Sequence, residues 1–415
     1  MLLPRQPSHQ PEHDGCDNRG PGSPSGEPMG ARDPLEEASR LHDLAVSLHA
    51  QGRYAEALTS FQQALALCEQ EIGLDHPDVA NILNNMAGTY EDQGNYAEAE
   101  RLYQRSVAIM EALTGSLEVE TIRVQSLCGL AGVYCAQGRY GEAEPLFQQA
   151  LALAEAAFGP DHLEVATCLN NLAVLYKYTG QFADAGGLYR RALAITQRTL
   201  GPDHPDIATI YHNLGGLEHA RGRYARGEPL ARRAVAIRER ALCPEHLDVA
   251  ADIAALAGLL DGQGKYDEAE VLYRRALAIF ERALGLEHYD VAVTCNNLAA
   301  LSHARGDNTE AESLYQRALA IKERLLGPEH PDVAMTLNNL AVFYTSVEKY
   351  AEAEPLYQRA LAIFEACLGP THPKVVTCLR NYAQLLRDTQ RRAEALALES
   401  RARQARPRRT RRSGT

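Results

Sequence analysis

The sequence predicts an all-α protein, a right-handed superhelical solenoid of antiparallel helix pairs. Three observations predict it: a long repeat, apolar residues spaced three and four apart within each repeat, and helix-stopping residues at fixed points between repeats. Related segments begin at Tyr54, Tyr96, Tyr140, Phe182, Tyr224, Tyr266, Asn308 and Tyr350. Every interval is 42 residues, except for 44 between Tyr96 and Tyr140. Because one helix pair cannot bury its apolar face alone, neighbouring pairs must stack into one continuous core.

Each repeat is predicted to contain two helices joined by a turn. The first helix is predicted in segments such as DVAMTLNNLAVFYTS, where Val333, Leu337 and Leu340 recur at helical spacing. The second helix is predicted in segments such as AEAEPLYQRALAIFEACLG. Its apolar stripe consists of Leu356, Tyr357, Ala360, Leu361 and Ile363. A glycine in the turn, such as Gly180, permits the positive φ that ends a helix.

The junctions between repeats combine signals that stop one helix and start the next. In GPDHPDIA, Gly201 suits a left-handed helix end, and Pro205 suits the first position of the next helix. Asp206 then lies in the first turn, where the helix dipole favours negative charge. The two-residue insertion after Gly115 lacks the His-Pro junction, so we expect a local kink or a bulged loop there.

The repeats indicate a chain with three parts. Residues 36–404 are predicted to form the solenoid of about nine pairs, and its last helix, with Arg392 and Glu399 at normally aromatic positions, is expected to be a polar cap. Residues 1–35 are rich in proline and glycine and are predicted to be disordered. Residues 405–415 continue an arginine-rich run and are also predicted to be disordered.

Composition and charge argue against several classes of protein. The chain has 54 acidic residues and 42 Lys plus Arg, a net charge of -12, so we expect no specific nucleic-acid partner. No apolar run approaches the roughly 20 residues of a membrane span, and MLLPRQPSHQPEHDG lacks the apolar core of a signal peptide. We therefore expect a cytoplasmic protein. The arginines of the C-terminal tail are expected to be solvated or docked on the acidic solenoid, and weak anionic contacts through them stay open as an alternative.

The repeat resembles the tetratricopeptide repeat, whose pattern is W-x2-L-G-x2-Y…A-x3-F. The residues of one unit that fall on this pattern are Leu169, Leu172, Ala173, Tyr176, Gly180, Phe182, Ala185, Tyr189 and Ala192. The 42-residue length, the LNNLA core and the HPDVA junction resemble the repeats of kinesin light chains and their bacterial relatives. The resemblance implies a concave groove, lined by the first helices, that binds peptides. It does not imply motor transport, because no heptad pattern precedes the repeats.

Asparagines on the first helices are the candidate peptide-binding residues. They are Asn84, Asn85, Asn170, Asn171, Asn213, Asn296, Asn297, Asn338, Asn339 and Asn381. A carboxamide offers two donors and an acceptor, so it pairs with an extended peptide backbone whatever the peptide's side chains are. The alternative is that these side chains stitch neighbouring helices together. A clamp for a C-terminal carboxylate is not favoured, because Val174, Gly216 and similar residues occupy the positions that such a clamp needs.

Seven histidines recur in the junctions, and the sequence favours a structural role for them. They are His76, His162, His204, His246, His288, His330 and His372. Residues on successive junctions are separated by roughly two helix diameters, too far apart to share one metal ion. No nucleotide-binding, zinc-protease or hydrolase motif is present, so we expect neither a cofactor nor an enzymatic activity.

The sequence thus predicts a non-enzymatic scaffold that binds peptide segments of partner proteins in its concave groove. An alternative is a self-associating assembly or sensor component that uses the solenoid ends or the convex face.

Overall fold

The computed structural model describes residues 33–50, 53–113 and 115–405. Within these residues the chain consists of helices without strands, which confirms the predicted all-α class of stacked helix pairs. The helices are α1 (Pro34–Ala50), α2 (Tyr54–Ile72), α3 (Pro77–Asp92), α4 (Tyr96–Ala112), α5 (Leu117–Ala136), α6 (Tyr140–Phe158), α7 (Leu163–Tyr178), α8 (Phe182–Leu200), α9 (Pro205–Ala220), α10 (Tyr224–Ala241), α11 (Leu247–Asp261), α12 (Tyr266–Leu284), α13 (Tyr289–Ala304), α14 (Asn308–Leu326), α15 (Pro331–Ser346), α16 (Tyr350–Leu368), α17 (Pro373–Asp388) and α18 (Arg392–Gln404). Odd-numbered helices are the first helices of the pairs, and even-numbered helices are the second.

The chain divides into two compact units, with the division inside α5 between Gly129 and Leu130. The N-terminal unit contains α1 to α4, and the C-terminal unit contains α6 to α18. Small and aromatic side chains alternate in the core of the C-terminal unit. Ala185 and Ala353 are fully buried, and so are the rings of Tyr189 and Tyr273. None of the helices that the structure describes combines the length and apolarity that a membrane crossing requires.

The junction histidines are the N-caps of the first helices, which confirms their predicted structural role. In each junction the imidazole Nδ1 accepts a hydrogen bond from the backbone N–H two residues later, as His204 does from Asp206 at 3.3 Å. The same bond is found in α3, α7, α11, α13, α15 and α17. Because the first N–H groups of a helix have no partner inside it, this bond satisfies one of them.

The insertion after Gly115 lengthens a helix, which corrects the predicted kink or bulged loop. The junction 113–116 is as long as the junctions 73–76 and 159–162, whereas α5 has 20 residues and α7 has 16. Ser116 replaces the histidine as N-cap, since its Oγ accepts from the backbone N–H of Val119 at 3.1 Å. The hydroxyl starts the helix without a His-Pro pair, so the extra residues enter the helix.

The N-terminal boundary of the solenoid lies slightly earlier than predicted. The first helix begins at Pro34, because the Asp33 carboxylate accepts from the backbone N–H of Leu35 at 3.0 Å and caps it. Residues 34 and 35, assigned to the disordered segment from the sequence, are therefore helical. The rest of that segment, residues 1–32, and the arginine-rich residues 406–415 lie outside the described residues, so the disorder predicted for them stays a prediction.

The first and second helices of the C-terminal unit form two layers. Successive first helices contact one another, from α7 through to α17, whereas successive second helices make no comparable contact. Arginine–glutamate pairs bridge the second helices, as between Arg359 and Glu323 at 2.5 Å and between Arg275 and Glu239 at 3.1 Å. Since the first helices lie closer together, they form the inner, concave side of the layer. This surface of α7 to α17 is called the inner face below.

Candidate functional site

A row of carboxamides crosses the inner face from helix to helix. The Nδ2 group of Asn381 donates to Asn338 at 3.2 Å, and Asn339 donates to Asn296 at 3.3 Å. Within each helix the first amide donates to the second, from Asn338 to Asn339 at 3.5 Å and from Asn296 to Asn297 at 3.3 Å. The side chains of α17, α15 and α13 thus form one continuous hydrogen-bonded row.

The row ends at Asn297 because α11, the first helix on the other side of α13, has no side-chain acceptor at the corresponding positions. Residues 254 and 255 on α11, at the positions of the asparagine pair, are both alanine. Asn297 accepts a bond from Asn296, but its own Nδ2 donates none within the described residues. It is also one of the half-buried members of the row, whereas Asn296 is only 7% exposed.

The remaining candidate asparagines also bond to neighbouring helices. Asn213 donates to Asn170 at 2.9 Å, and Asn170 lies 3.5 Å from the amide oxygen of Asn171. In the N-terminal unit, Asn84 donates to the Ser126 hydroxyl at 2.9 Å, and Asn85 lies 2.9 Å from the His42 ring. The structure therefore contains the helix-stitching bonds of the alternative interpretation. Peptide contact by these ten residues stays a prediction.

A buried ionic network replaces the carboxamide row between α9 and α11. The His212 ring lies 2.7 Å from the Asp252 carboxylate, which is 1% exposed. Arg238 donates from Nε to the other oxygen of Asp252 at 2.7 Å and from a terminal nitrogen to Thr209 at 2.8 Å. Each charge is paired within a hydrogen-bonded cluster, which offsets the cost of burying it.

Two junction histidines make a second contact that links distant parts of the C-terminal unit. His372 Nε2 donates to the carbonyl oxygen of Tyr178 at 2.7 Å, and His330 Nε2 donates to that of Ala136. Because Nδ1 of each ring accepts from its own helix, the proton lies on Nε2, where it serves as the donor. Burial lowers the pKa of both imidazoles.

Proline rings pack on glycines beside these histidine bonds. A Cβ on Gly138 would lie 2.8 Å from Cγ of Pro331, and a Cβ on Gly180 would lie 2.9 Å from Cγ of Pro373. Only glycine therefore fits under each ring. We call the two histidine bonds and the two proline–glycine contacts the clasp. It holds the start of α15 against the end of α5, and the start of α17 against the end of α7.

The clasp brings two lysines together at the edge of the inner face. The ammonium groups of Lys177 on α7 and Lys374 on α17 lie 5.1 and 5.9 Å from the centre of the Tyr178 ring. Burial, with a further contribution from Lys374, lowers the pKa of Lys177 to about 8. The His219 imidazole, on α9, also has a lowered pKa because of burial and the charge of Lys177.

The family follows from the repeat itself. The profile of the tetratricopeptide repeat matches residues 36–112, 121–185, 206–282 and 332–408, and a second profile of the same description matches 165–206 and 291–332. The chain belongs to the tetratricopeptide repeat family. This confirms the family and the fold that the sequence predicts, and it supports a protein-interaction scaffold.

Solved structures of similar fold include other tetratricopeptide repeat proteins and sensors. A Rap protein in complex with competence and sporulation factor is 14% identical, with a TM-score of 0.66 over 89% of this chain and 98% of that one. The apo quorum sensor NprR from B. thuringiensis is 11% identical, with a TM-score of 0.57 over 90% and 99%. The tetratricopeptide-like repeats of a putative kinesin light chain of Podosopora anserina are 28% identical, with a TM-score of 0.39 over 50% of this chain and 97% of that one. The curated proteins contain no match.

The clasp and the lysine pair are the features of this tetratricopeptide repeat protein that the sequence interpretation missed. The sequence carries one signal, since Lys374 stands where seven other first helices, α3 to α15, have Asp or Glu directly after the N1 residue. That position lies at the positive end of the helix dipole, where a cation is unfavourable. This departure from the pattern singles out Lys374. It does not point to Lys177, which lies near Lys374 in space but 197 residues earlier in the sequence.

Proposed function

We propose that this protein is a non-enzymatic scaffold that binds extended peptide segments of partner proteins on its inner face. The observation that carries the proposal is the carboxamide row that ends in the unmatched donor of Asn297. Carboxamides bind backbone amides without regard to side chains, which suits a ligand of variable sequence. A Rap protein of the same fold was solved in complex with competence and sporulation factor.

The surface beside the row is open and partly apolar. Val342, on α15, is 39% exposed. An extended peptide on this surface would pair its backbone with the amides and place its side chains over Val342. Its affinity would come from many modest contacts.

The first variant for testing this function is Asn297→Asp. The carboxylate still accepts the bond from Asn296, but it replaces the free Nδ2 donor with a second acceptor and a negative charge. We expect capture of partner proteins from the organism's own extract to fall at least severalfold, with helical content unchanged by circular dichroism. Asn95→Asp is the matched control, because Asn95 is the N-cap of α4 and Asp caps a helix equally well.

The triple variant Asn171→Ala, Asn297→Ala, Asn339→Ala tests whether the row acts as a unit. We expect it to lose the captured partners while remaining folded. Capture equal to that of the wild type by both the triple variant and Asn297→Asp would show that partners bind elsewhere. Unfolding of the triple variant would instead assign these side chains to helix stitching.

A further inference from the structure

The second helices carry a repeated carboxylate that is held by its neighbours. Glu228, on α10, accepts a hydrogen bond from Arg232 of the same helix at 2.9 Å. Two side chains just before α12, Gln263 and Lys265, donate to it at 2.8 and 2.7 Å. These bonds, with that from Lys265 the strongest, lower the pKa of Glu228 to about 2. Glutamates occupy the same place in the repeat on α6, α12, α14 and α16, namely Glu144, Glu270, Glu312 and Glu354.

On α8 this glutamate is replaced by Gly186, which stands 42 residues before Glu228. The side chains at the places of the three donors are all arginines, namely Arg190, Arg221 and Arg223. The terminal nitrogens of Arg190 and Arg221 lie 3.4 and 3.5 Å from the point that a Cβ on Gly186 would occupy. Positively charged groups thus surround a place where this repeat, unlike its neighbours, has no carboxylate.

A fourth arginine replaces a second carboxylate of this arrangement. Arg232 also forms an ion pair with Glu268, 36 residues later, at 2.8 Å. The residue 36 positions after Arg190 is Arg226 instead, and both side chains are exposed. Within the part of the chain that the structure describes, neither of these two arginines forms an ion pair or a side-chain hydrogen bond. We call the four residues the arginine cluster: Arg190, Arg221, Arg223 and Arg226.

Glu218, on α9, is an acidic side chain that bonds to the cluster. It accepts from Arg221 at 2.8 Å and lies 4.0 Å from Arg223. Arg221 also donates to the carbonyl oxygen of Phe182, at the start of α8. These contacts hold Arg221 in place, and they leave unbalanced the charges of the two arginines that have no partner.

We propose that the arginine cluster binds a phosphate group on a partner protein, carried by a phosphorylated serine or threonine side chain. Such a group has a charge of about −1.5 to −2 at pH 7 and three strong acceptor oxygens. It would balance the two unpartnered guanidinium groups, whereas a carboxylate would balance one. The planar guanidinium also donates two parallel hydrogen bonds to a phosphate. The cluster lies on the second helices, so this site goes beyond peptide binding on the inner face.

The neighbouring helix favours a phosphorylated side chain over an anionic membrane. α6 lies beside α8, to which it is linked by the ion pair between Glu155 and Arg191 at 2.7 Å. α6 contains three glutamates and neither lysine nor arginine. A membrane surface that covered α8 would also approach these carboxylates, which anionic lipids repel. A single phosphate group contacts the cluster alone.

The experiment uses the full chain with its arginines labelled with ¹⁵N, so that the Nε–H signals report on each guanidinium group. The probes are acetyl-Ala-Ala-phosphoserine-Ala-Ala amide, the same peptide with serine or with glutamate at its centre, inorganic phosphate, and vesicles of phosphatidylcholine and phosphatidylserine. We expect saturable shifts of the Arg190 and Arg226 signals with the phosphoserine peptide and none with the serine peptide. The glutamate peptide should bind roughly tenfold more weakly, the loss typical of one charge-assisted hydrogen bond.

Four results with these probes would overturn the proposal. They are the absence of a saturable shift with the phosphoserine peptide, equal affinity for the glutamate and phosphoserine peptides, shifts with inorganic phosphate alone, and shifts with the vesicles alone.

Gly186→Glu returns the repeat's carboxylate to the cluster and is the most direct variant. The added Cβ would lie 3.4 Å or more from the nearest side-chain atoms, so the helix accepts it. We expect Gly186→Glu to abolish binding of the phosphoserine peptide and to raise the midpoint of urea unfolding. Gly186→Ala is its matched control and should bind as the wild type does. Because both variants remove a glycine from a helix, they share the gain in helix propensity and differ in the carboxylate.

Two arginine variants test the cluster from the other side. Arg190→Gln introduces the residue type that α14 and α16 have at this place, and Arg226→Glu introduces that of α12 and α14. Each should weaken binding of the phosphoserine peptide by roughly tenfold or more. Arg233→Gln is the control, since Arg233 lies on the same helix as Arg226 but pairs with Asp203 at 2.7 Å. It should bind as the wild type does.

The outcomes separate this site from the inner face. Asn297→Asp should bind the phosphoserine peptide as the wild type does, because Asn297 lies on a first helix. Unchanged binding by both arginine variants would overturn the proposal, and so would an equal loss in Arg233→Gln, which would indicate a general attraction to arginines. If Gly186→Glu does not fold, the two arginine variants decide the question by themselves.

Discussion

The clasp in the C-terminal unit is testable by adding one carbon atom at each of its two glycines. In Gly138→Ala, Gly180→Ala, the new Cβ atoms would lie 2.8 Å from Cγ of Pro331 and 2.9 Å from Cγ of Pro373. Carbon atoms in contact normally stay about 3.5 to 4.0 Å apart, so the prolines must move away. Because each proline directly follows a clasp histidine, we expect this movement to break both histidine–carbonyl bonds.

The variant Gly222→Ala, Gly264→Ala is a matched control. All four glycines lie in the turn between the two helices of a pair and have positive φ, +77° and +81° at the clasp positions 138 and 180 and +68° and +77° at the control positions. An alanine there is strained by roughly 1 to 2 kcal/mol in either variant. At the control positions nothing lies within 4 Å of the added carbon atom. The control therefore reproduces the backbone strain without the collision.

The expected difference between the two double variants follows from the two lost hydrogen bonds. A net value of about 1 kcal/mol for each predicts a clasp variant that is about 2 kcal/mol less stable than the control. Urea unfolding measures this difference directly. Equal stability of the two double variants would show that the clasp contributes nothing.

Histidine titration gives a local measurement of the same contact. Burial lowers the pKa of His330 and His372 from the ordinary value of 6.5, and for His372 the charge of Lys374 lowers it further. For His330, Asp332 acts in the opposite direction and Lys322 adds to the lowering. Breaking the clasp exposes both rings, so their NMR titrations should move up toward 6.5 in the clasp variant and stay low in the control.

The sign of the pH effect on stability follows from these lowered pKa values. As pH falls below 6.5, the unfolded chain takes up a proton on each histidine before the folded chain does, so folding becomes less favourable. The loss is at most about 1.4 kcal/mol per pH unit for each histidine, and it ends below the folded-state pKa. The clasp variant should lose less stability on acidification than the control does. If both rings titrate identically in the two double variants, the reasoning is refuted.

Two further pairs of substitutions test the packing of the C-terminal unit by chemical denaturation. The buried Tyr189 hydroxyl has no hydrogen-bond partner, whereas that of Tyr357 lies 3.4 Å from Thr345. Tyr189→Phe should therefore be neutral or stabilising, and Tyr357→Phe should cost about 1 kcal/mol; equal losses would contradict this. Arg359→Lys should cost about 1 kcal/mol, because lysine cannot replace both the ion pair with Glu323 and the bond to a junction carbonyl. Glu323→Gln should cost less than about 0.5 kcal/mol, since that pair is partly exposed, and a larger loss there would contradict the assignment.

Local signals in the sequence are sufficient to predict the fold of this chain. The 42-residue repeat, the helical spacing and the helix stops at the junctions act over a few residues, so they could be interpreted one repeat at a time. The error at Gly115 has the same origin. The missing His-Pro pair predicts a kink or bulge there, but Ser116 caps α5 in its place, so the extra residues lie in the helix and not in the loop.

The candidate site was predicted in part. The register of the asparagines placed them correctly on the first helices, but their pairing depends on the neighbouring repeat. Asn297 differs from Asn339 only because the helix before it carries alanines in place of asparagines. That comparison was available in the sequence, whereas the hydrogen-bond directions in the row required the packed helices.

The sequence by itself determined that this chain is a stack of helix pairs with polar amides along one side. Only the tertiary structure decided that α17 meets α7, and that Lys374 therefore lies beside Lys177. The physical reason is the distance along the sequence over which each kind of contact acts. Helix propensity, capping and repeat stacking are contacts within a repeat or with its neighbour, but closure between distant repeats depends on small rotations that accumulate over many pairs. No single repeat contains that information.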